Sequence, residues 1–233
     1  CGSSSFIGIH QDGIIKNNKL KISKVIGLEP RNKEQKFAIE ALLRDEISLV
    51  TLTGIAGSGK TFLTLMAALE GLQEDKYDRI VITRSIQPVG RDLGYLPGSL
   101  SEKMTPWLAP IADNVRHAFK DTTYFDLMIE KGSIEIAPLA YIRGRTFNNS
   151  FVIVDEAQNA TIHELKTIIT RVGANSKVVL LGDTDQIDTP YIDQRSNGLS
   201  IVIEKFKTSK FHAHVKLAKG QRSGLASEAS KIL

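Results

Sequence analysis

The sequence predicts an α/β fold in which a mainly parallel sheet lies between two layers of helices. Short apolar runs rich in β-branched residues alternate along the chain with segments of helical periodicity, a pattern typical of parallel strands joined by crossover helices. One run, residues 151–154, is apolar throughout, as expected for a strand covered on both faces. Another run is followed by a glycine-rich turn at residues 54–61 and then by a helical pattern. The expected architecture is therefore a three-layer α/β domain.

Composition places the chain among ordinary globular domains. Its 233 residues suffice for one large domain or two small ones, and its content of 42% hydrophobic and 24% charged residues is average. The net charge of +4 permits an anionic partner such as nucleic acid but does not require one. A single cysteine, Cys1, excludes an internal disulfide framework and favours a reducing compartment. No apolar run approaches the ~18 residues of a membrane span and no signal-peptide pattern is visible, so we expect a cytoplasmic protein with no membrane partner.

Residues 1–28 are expected to be an N-terminal extension or connector, and residues 29–233 the main domain. Within the extension, residues 6–28 show short extended segments with a hairpin expected at Asp12-Gly13. Its basic residues are Lys16, Lys19, Lys21 and Lys24. The favoured interpretation is a solvated strand edge protected by lysines, and a nucleic-acid patch is the alternative. Because the chain opens without a methionine, we expect it to be a piece of a longer protein.

The remaining elements follow in an alternating order. The expected strands are residues 47–53, 79–83, 133–137, 151–154, 177–181 and 214–217. The expected helices are residues 34–43, 62–69, 112–120, 124–131, 161–172, 197–206 and 223–233. Residues 86–110 carry so many prolines and glycines that we expect a long loop with short helical pieces, and such a loop in a compact domain is usually functional.

The glycine-rich turn carries the strongest chemical signal in the sequence. Residues 54–61 match the phosphate-binding P-loop pattern G-x-x-x-x-G-K-[ST] between a strand and a helix. Glycines let backbone N–H groups converge on phosphate oxygens at the positive end of the following helix. Lys60 is expected to reach the β- and γ-phosphates, and the Thr61 hydroxyl to bind Mg²⁺. The expected nucleotide-binding residues here are Gly54, Ile55, Ala56, Gly57, Ser58, Gly59, Lys60, Thr61 and Phe62.

Two further strands end in residues suited to phosphoryl chemistry, at the edge where ligands of open α/β sheets bind. Asp155 follows the apolar run at 151–154 and is expected to hold Mg²⁺ through its water shell, because a carboxylate there is costly unless a cation meets it. Glu156 is placed to polarise the attacking water as a general base, which favours hydrolysis over simple binding. Gln186 follows the run at 177–181 and is suited to sense a γ-phosphate, because its amide both donates and accepts. A turn with self-bonding Asp side chains is the alternative there.

The nucleotide base and the charge of the transition state require further groups. Gln35, near the start of the first helix, is a weak candidate for hydrogen bonding to adenine. Phosphoryl transfer rewards an arginine beside the γ-phosphate, supplied by the same chain or by a neighbour. The arginine candidates are Arg84, Arg143, Arg145 and Arg222, and for each a solvated surface position is an equal alternative. The expected catalytic set is Lys60, Glu156 and Gln186 with Arg145 and Arg222.

Taken together, these residues resemble the PhoH-like ATPases, a family related to the first RecA-like domain of superfamily 1 helicases. The matching residues are Pro30, Asn32, Gln35, residues 54–61, Arg84, residues 90–98, 143–145, 155–159 and 182–188, Arg222 and Ser223. The specific parts are the Asp-Glu-Ala-Gln-Asn run at 155–159 and the Leu-Pro-Gly stretch at 96–98. The resemblance implies a RecA-like P-loop NTPase fold, ATP hydrolysis with Mg²⁺, RNA-related work and assembly into a hexameric ring. It is closest to the branch in which a PIN ribonuclease domain precedes the ATPase, so residues 1–28 would connect to a toxin-type nuclease outside this chain.

Several functions stay open at this point. The favoured one is a Mg²⁺-dependent ATP hydrolase, helicase-like and coupled to RNA or single-stranded nucleic acid. It would work as an oligomer, because only one RecA-like lobe fits in the chain and neighbours must supply the second surface. The alternatives are a nucleotide-gated binding or assembly module with little hydrolysis, and a small-molecule kinase. A GTPase is disfavoured because no Asn-Lys-x-Asp motif follows the P-loop.

Overall fold

The computed structural model describes residues 8–11, 14–17, 29–84, 123–142, 144–184, 186 and 197–220. The strands are β1 (Gly8–Gln11), β2 (Ile14–Asn17), β3 (Leu49–Gly54), β4 (Arg79–Arg84), β5 (Ile134–Pro138), β6 (Ser150–Asp155), β7 (Lys177–Gly182) and β8 (His212–Leu217). The helices are α1 (Lys33–Leu43), α2 (Lys60–Gln73), α3 (Thr123–Glu130), α4 (Ile162–Ile169) and α5 (Gly198–Phe206), with 3₁₀ turns at Leu139–Tyr141 and Ala157–Asn159.

Six of the described strands form one sheet in the order β5-β4-β6-β7-β3-β8, and every pairing in it is parallel. This confirms the α/β fold with a mainly parallel sheet. β1 and β2 instead pair antiparallel with Gln11 opposite Ile14, as expected for a hairpin at residues 12–13. Because the sheet is parallel, the carboxyl ends of β3, β4, β6 and β7 lie along one edge, where ligands of such sheets bind.

Helices cover both faces of the sheet, which confirms the three-layer arrangement. Phe151 and Ile153 of β6 belong to the apolar cluster that contains side chains of α1 and α2. Val152 and Val154, which alternate with them, belong to the cluster that contains side chains of α4 and α5. All four are fully buried, and each such side chain contributes about 1.5–3 kcal/mol to folding. The continuous apolar run therefore arises because both faces of the strand are covered.

Side-chain caps set the start of three helices. At α1, Asn32 accepts a 2.8 Å hydrogen bond from the Gln35 N–H. At α4, Thr161 and Glu164 form a reciprocal capping box, and at α5 Asn197 accepts from a backbone N–H of the first turn. Such a cap contributes about 1 kcal/mol, because it satisfies N–H groups that lack a partner within the helix.

One helix boundary differs clearly from the sequence-based expectation. The helix predicted over residues 161–172 ends at Ile169. Beyond it, Val172 forms an isolated bridge with Phe147, and the Gly173 N–H donates to the Phe147 carbonyl at 2.6 Å. Apolar periodicity alone favours a longer helix, but pairing with a distant segment outweighs this local preference. In contrast, α2 and β8 are longer than predicted.

Other expectations fall outside the described part of the chain. These are the loop predicted at residues 86–110 and the helices predicted at 112–120 and 223–233. The division between an extension at 1–28 and a main domain from 29 stays a prediction. Among the described residues, no helix combines the length and the apolar character needed to cross a membrane.

Candidate functional site

The glycine-rich loop joins β3 to α2 and takes conformations that glycine adopts most readily. Gly54 has a φ of 152°, and a Cβ at this position would lie 2.3 Å from the Leu217 carbonyl oxygen. Gly59 has a φ of 94° and precedes α2 in the left-handed conformation, without a side-chain cap on the helix. The positive end of the α2 dipole therefore faces the space in front of the loop, an arrangement that favours an anion.

Lys60, the first residue of α2, folds back over this loop. Its Nζ donates hydrogen bonds to the backbone carbonyls of Gly54 and, at 3.2 Å, Ile55. The ammonium group is thus held above the loop, where phosphate oxygens would compete with these carbonyls for the same protons.

A cavity of about 400 Å³ opens in front of the loop, at the carboxyl edge of the sheet. It is lined by Ala56, Gly57, Gly59, Lys60, Thr61, Phe62, Arg84, Asp155, Glu156, Gly182, Asp183 and Gln186. The ends of β4, β6 and β7 therefore meet the loop at one place. Three residues of the predicted loop set do not line this cavity: Gly54 and Ser58, which are buried, and Ile55, which is exposed.

Asp155 supplies a buried carboxylate at the end of β6, directly beside Arg84 in the strand register. Burial raises the pKa of Asp155 to about 6 with a further contribution from the Glu156 carboxylate, while Arg84 and Lys60 act in the opposite direction. A divalent cation would favour the charged form as these two cations do, and carboxylate oxygens are the ligands that Mg²⁺ prefers. The Thr61 hydroxyl lines the same cavity and offers a second oxygen.

Glu156 follows Asp155 in the left-handed region, with a φ of 49°. A non-glycine residue in this region is uncommon and is often found at functional sites. Its carboxylate lies 3.7 Å from the Arg84 guanidinium and accepts a 2.6 Å hydrogen bond from Gln158 Nε2. Because the Glu156 side chain is 35% exposed, it is accessible to water in the cavity.

The segment after β7 brings two polar residues to the cavity. Asp183 is buried, and Gln186 is exposed. The Gln186 N–H donates to the Asp183 carbonyl at 3.2 Å, which closes a backbone turn. The self-bonding Asp side chains of the alternative interpretation stay a prediction. The turn does not conflict with a phosphate-sensing role, since the residue still lines the cavity.

Gln35 lies under the glycine-rich loop and does not line the cavity. Its Nε2 donates to the Ser58 carbonyl at 3.2 Å, and its Oε1 accepts from the Arg31 N–H at 2.9 Å. The amide oxygen therefore bonds to the segment just before α1, and the amide nitrogen bonds to the glycine-rich loop. Because the amide does not line the cavity, an adenine contact there would require the side chain to move.

The arginine candidates separate by position. Arg84 lines the cavity, whereas Arg145 does not and forms a two-pronged ion pair with Glu135 of β5, with Nη2 donating to Oε2 at 2.8 Å. This hydrogen-bonded pairing lowers the pKa of the Glu135 carboxyl and raises that of Arg145. Arg143 and Arg222 lie outside the described residues. The structure thus brings Arg84 to the cavity at the strand ends, whereas Arg145 is paired with Glu135 of β5.

Gln158 and Asp183 belong to this site, although sequence reasoning assigned no role to either. The signal for Gln158 was its position in the Asp-Glu-Ala-Gln-Asn run, two residues after Glu156. Asp183 comes two residues after the end of the strand predicted at 177–181, and Asp155 directly follows the strand predicted at 151–154. The contacts of both residues depend on which strands lie side by side, and the linear sequence does not show this.

The parallel sheet, the glycine-rich loop and the acidic strand end define the class: this is a P-loop nucleotide-binding protein. A family model described as "PhoH-like protein" matches residues 27–232. The chain therefore belongs to the PhoH-like protein family, as the sequence resemblance indicated.

Curated relatives support this assignment. The chain is 47% identical over 240 residues to protein PhoH2 of Bacillus subtilis, a match that covers 100% of this chain and 54% of that protein. It is 41% identical over 212 residues to protein PhoH2 of Mycolicibacterium smegmatis, covering 90% and 48% respectively. The chain thus spans about half the length of these curated relatives.

The solved structures that match this chain are more distant. The Pif1 helicase from Candida albicans matches with a TM-score of 0.44 and 14% identity over 88% of this chain and 43% of that one. Bacteroides sp. Pif1 in complex with ADP-AlF4 matches with a TM-score of 0.38 and 17% identity over 84% and 44%. Similarity at this level carries no argument about function.

Proposed function

We propose that this chain is a Mg²⁺-dependent ATP hydrolase. The observation that carries the proposal is the meeting of a phosphate-binding loop, a buried carboxylate and a second, accessible carboxylate around one cavity. A binding site alone requires the loop and a metal ligand. An accessible Glu156 beside them adds a group that can polarise water, which hydrolysis needs.

Each group has a distinct part in the proposed reaction. The loop N–H groups and Lys60 bind the phosphates, and the N-terminus of α2 stabilises their negative charge. Thr61 and Asp155 would hold Mg²⁺, which neutralises phosphate charge when bound. Glu156 accepts a proton from the attacking water. Gln186 lines the same cavity after the end of β7 and would contact the γ-phosphate.

Arg84 is the arginine that the structure favours for the charge of the transition state. It lines the cavity and lies beside Asp155, the last residue of β6, and Glu156, which follows it. Arg145, by contrast, is held by Glu135, so a catalytic role for it would require a neighbouring subunit or the loss of that pair. Arg222 lies outside the described residues and stays a proposal from the sequence.

Nucleic-acid coupling and ring assembly are proposed on the resemblance to PhoH-like ATPases. The net charge of +4 neither requires nor excludes RNA. A single lobe leaves the nucleotide open on one side, and a neighbouring subunit in a hexameric ring would close it. Because the chain spans about half of its curated relatives, a preceding nuclease domain and a cytoplasmic toxin-type role belong to the proposal for the whole protein.

The test is phosphate release from ATP with Mg²⁺, measured with and without single-stranded RNA and alongside the oligomer size by light scattering. Lys60→Ala should lose both fluorescent-ATP binding and turnover. Glu156→Gln should retain binding but lose about 10²–10⁴-fold in turnover, the usual contribution of a general base. Full turnover in either variant would refute the assignment.

Magnesium and the alternative function have their own readouts. Removing Mg²⁺ should weaken fluorescent-ATP binding to the wild type, and Asp155→Asn should make binding insensitive to Mg²⁺. A nucleotide-dependent change in oligomer size without phosphate release would favour the nucleotide-gated assembly module instead.

A further inference from the structure

The side chain of Gln158 is fully buried and lies next to the Glu156 carboxylate, which lines the cavity. It lies in the 3₁₀ turn Ala157–Asn159, which the left-handed Glu156 makes possible and which the Asn159 N–H closes onto the Glu156 carbonyl at 3.0 Å. This turn places the Gln158 side chain between the end of β6 and the segment after β7.

The amide of Gln158 has three hydrogen-bond partners. Its Nε2 donates to Glu156 Oε2 at 2.6 Å and to the Gln186 carbonyl at 2.9 Å. Its Oε1 accepts from the Asp183 N–H at 3.1 Å. The orientation of the amide follows from these partners, because a carboxylate and a carbonyl require a donor and an N–H requires an acceptor.

The space around this amide allows it little freedom. A Cβ at Gly182 would lie 2.6 Å from Gln158 Oε1 and 2.5 Å from a methyl carbon of Leu199. The absence of a side chain at Gly182 therefore creates the slot that the amide occupies. A side chain that is enclosed in this way and whose donor and acceptor atoms are both in use has one orientation.

We propose that Gln158 is a positioning residue that couples the water-polarising carboxylate to the segment contacting the γ-phosphate. One Nε2 holds Glu156 in place, and the same atom holds the backbone of Gln186. A shift of Asp183 and Gln186 on nucleotide binding would therefore move the Glu156 carboxylate as well. This inference rests on the proposed ATP hydrolysis, and it predicts that turnover depends on Gln158 while nucleotide binding does not.

The test compares Gln158→Glu with Asn149→Asp. The first change keeps the shape of the side chain and the acceptor for Asp183, but it sets a like charge against Glu156. The control makes the same amide-to-acid change at the opposite end of the sheet, where Asn149 Nδ2 donates to Asp78 Oδ2 at 3.0 Å. Q158E should lower kcat about 10–100-fold, typical of losing a group that orients a reactive one, with KM for ATP within about twofold. N149D should retain wild-type kcat.

The double variant E156Q/Q158E separates positioning from general structural support. It restores an acid–amide pair with the two groups exchanged, so its melting temperature should return towards that of the wild type. Its turnover should not differ from that of E156Q alone, because Gln158 acts through Glu156. If Q158E does not fold, Gln158→Met supplies a neutral side chain of similar length for the same comparison.

Two outcomes would overturn the inference. One is a kcat for Q158E or Q158M within about twofold of the wild type. The other is that Q158E lowers kcat by the same factor when it is added to E156Q as when it is added to the wild type. A wild-type protein that releases no phosphate would instead overturn the proposed function, and the role of Gln158 with it.

Discussion

Arg84 and Glu156 form an ion pair of 3.7 Å across the neighbouring ends of β4 and β6. The guanidinium is 32% exposed and lines the cavity, so it is available to a phosphate as well as to the carboxylate. We expect Arg84→Met to lower kcat about 10²–10³-fold, the effect of removing one donor aimed at developing charge. Steady-state phosphate release measures this, and wild-type turnover in R84M would contradict the assigned role.

Arg145→Met is the matched comparison for that variant. It removes the ion pair with Glu135. The side chains of Arg145 and Glu135 are each about one-third exposed. The expected loss of stability is about 1 kcal/mol or less, measured by denaturant unfolding, because water screens a partly exposed pair. Turnover should stay unchanged in the isolated subunit. Loss of turnover only above the assembly concentration would show that Arg145 serves a neighbouring nucleotide.

Gln35→Met should weaken nucleotide binding without unfolding the protein. The variant loses the hydrogen bond to the Ser58 carbonyl that holds the glycine-rich loop against α1. Loss of one such bond corresponds to about 1 kcal/mol, or roughly fivefold in Kd, measured with fluorescent ATP. If Gln35 also reads adenine, the preference for ATP over GTP falls as well. Gln73→Met, at the exposed end of α2, is the control and should bind like the wild type.

Gly54→Ala should destabilise the protein more than Gly132→Ala. Both glycines have positive φ, 152° and 74°, so each substitution carries a backbone penalty of about 1–3 kcal/mol. At Gly132 nothing lies within 4 Å of the added Cβ, whereas at Gly54 the Cβ would lie 2.3 Å from the Leu217 carbonyl oxygen. Urea unfolding measures the difference. Equal losses would show that β8 moves aside without cost.

Lys177 should make stability depend on pH. Its Nζ is buried and donates to the carbonyls of Ala41 and Arg44 at 3.3 and 2.6 Å, at the end of α1. Burial, aided by Lys76, lowers the pKa of Lys177 to about 7. Between that value and its ordinary pKa the unfolded chain binds more protons than the folded one. The contribution of Lys177 to stability should therefore rise with pH by up to about 1.4 kcal/mol per pH unit in this window, and this contribution should stay flat below it.

Lys177→Met checks this expectation. The variant should show a flatter stability profile than the wild type between pH 7 and about 9.5 in denaturant titrations. Measurements stop there because burial also raises the pKa of Tyr77, whose ionisation in the unfolded chain lowers stability at higher pH. A wild-type profile as flat as that of the variant would contradict the lowered pKa of Lys177.

Most of the fold could be predicted because its signals are local. Apolar runs and helical periods act over a few residues, and they placed the described strands and helices in the right order. The end of α4 could not be predicted, because Val172 pairs with Phe147 from a distant part of the chain. The strand order of the sheet could not be predicted either, since periodicity does not say which strands are neighbours.

The chain alone determined the glycine-rich loop and the acidic end of β6, because a run of consecutive residues contains all that these features need. Only the tertiary structure decided that Arg84 lies beside Glu156 while Arg145 pairs with Glu135. It also decided that Gln158 joins Glu156 to Gln186. The physical reason is that backbone conformation follows from neighbours along the chain, whereas the partners of a side chain depend on which strands the sheet places side by side.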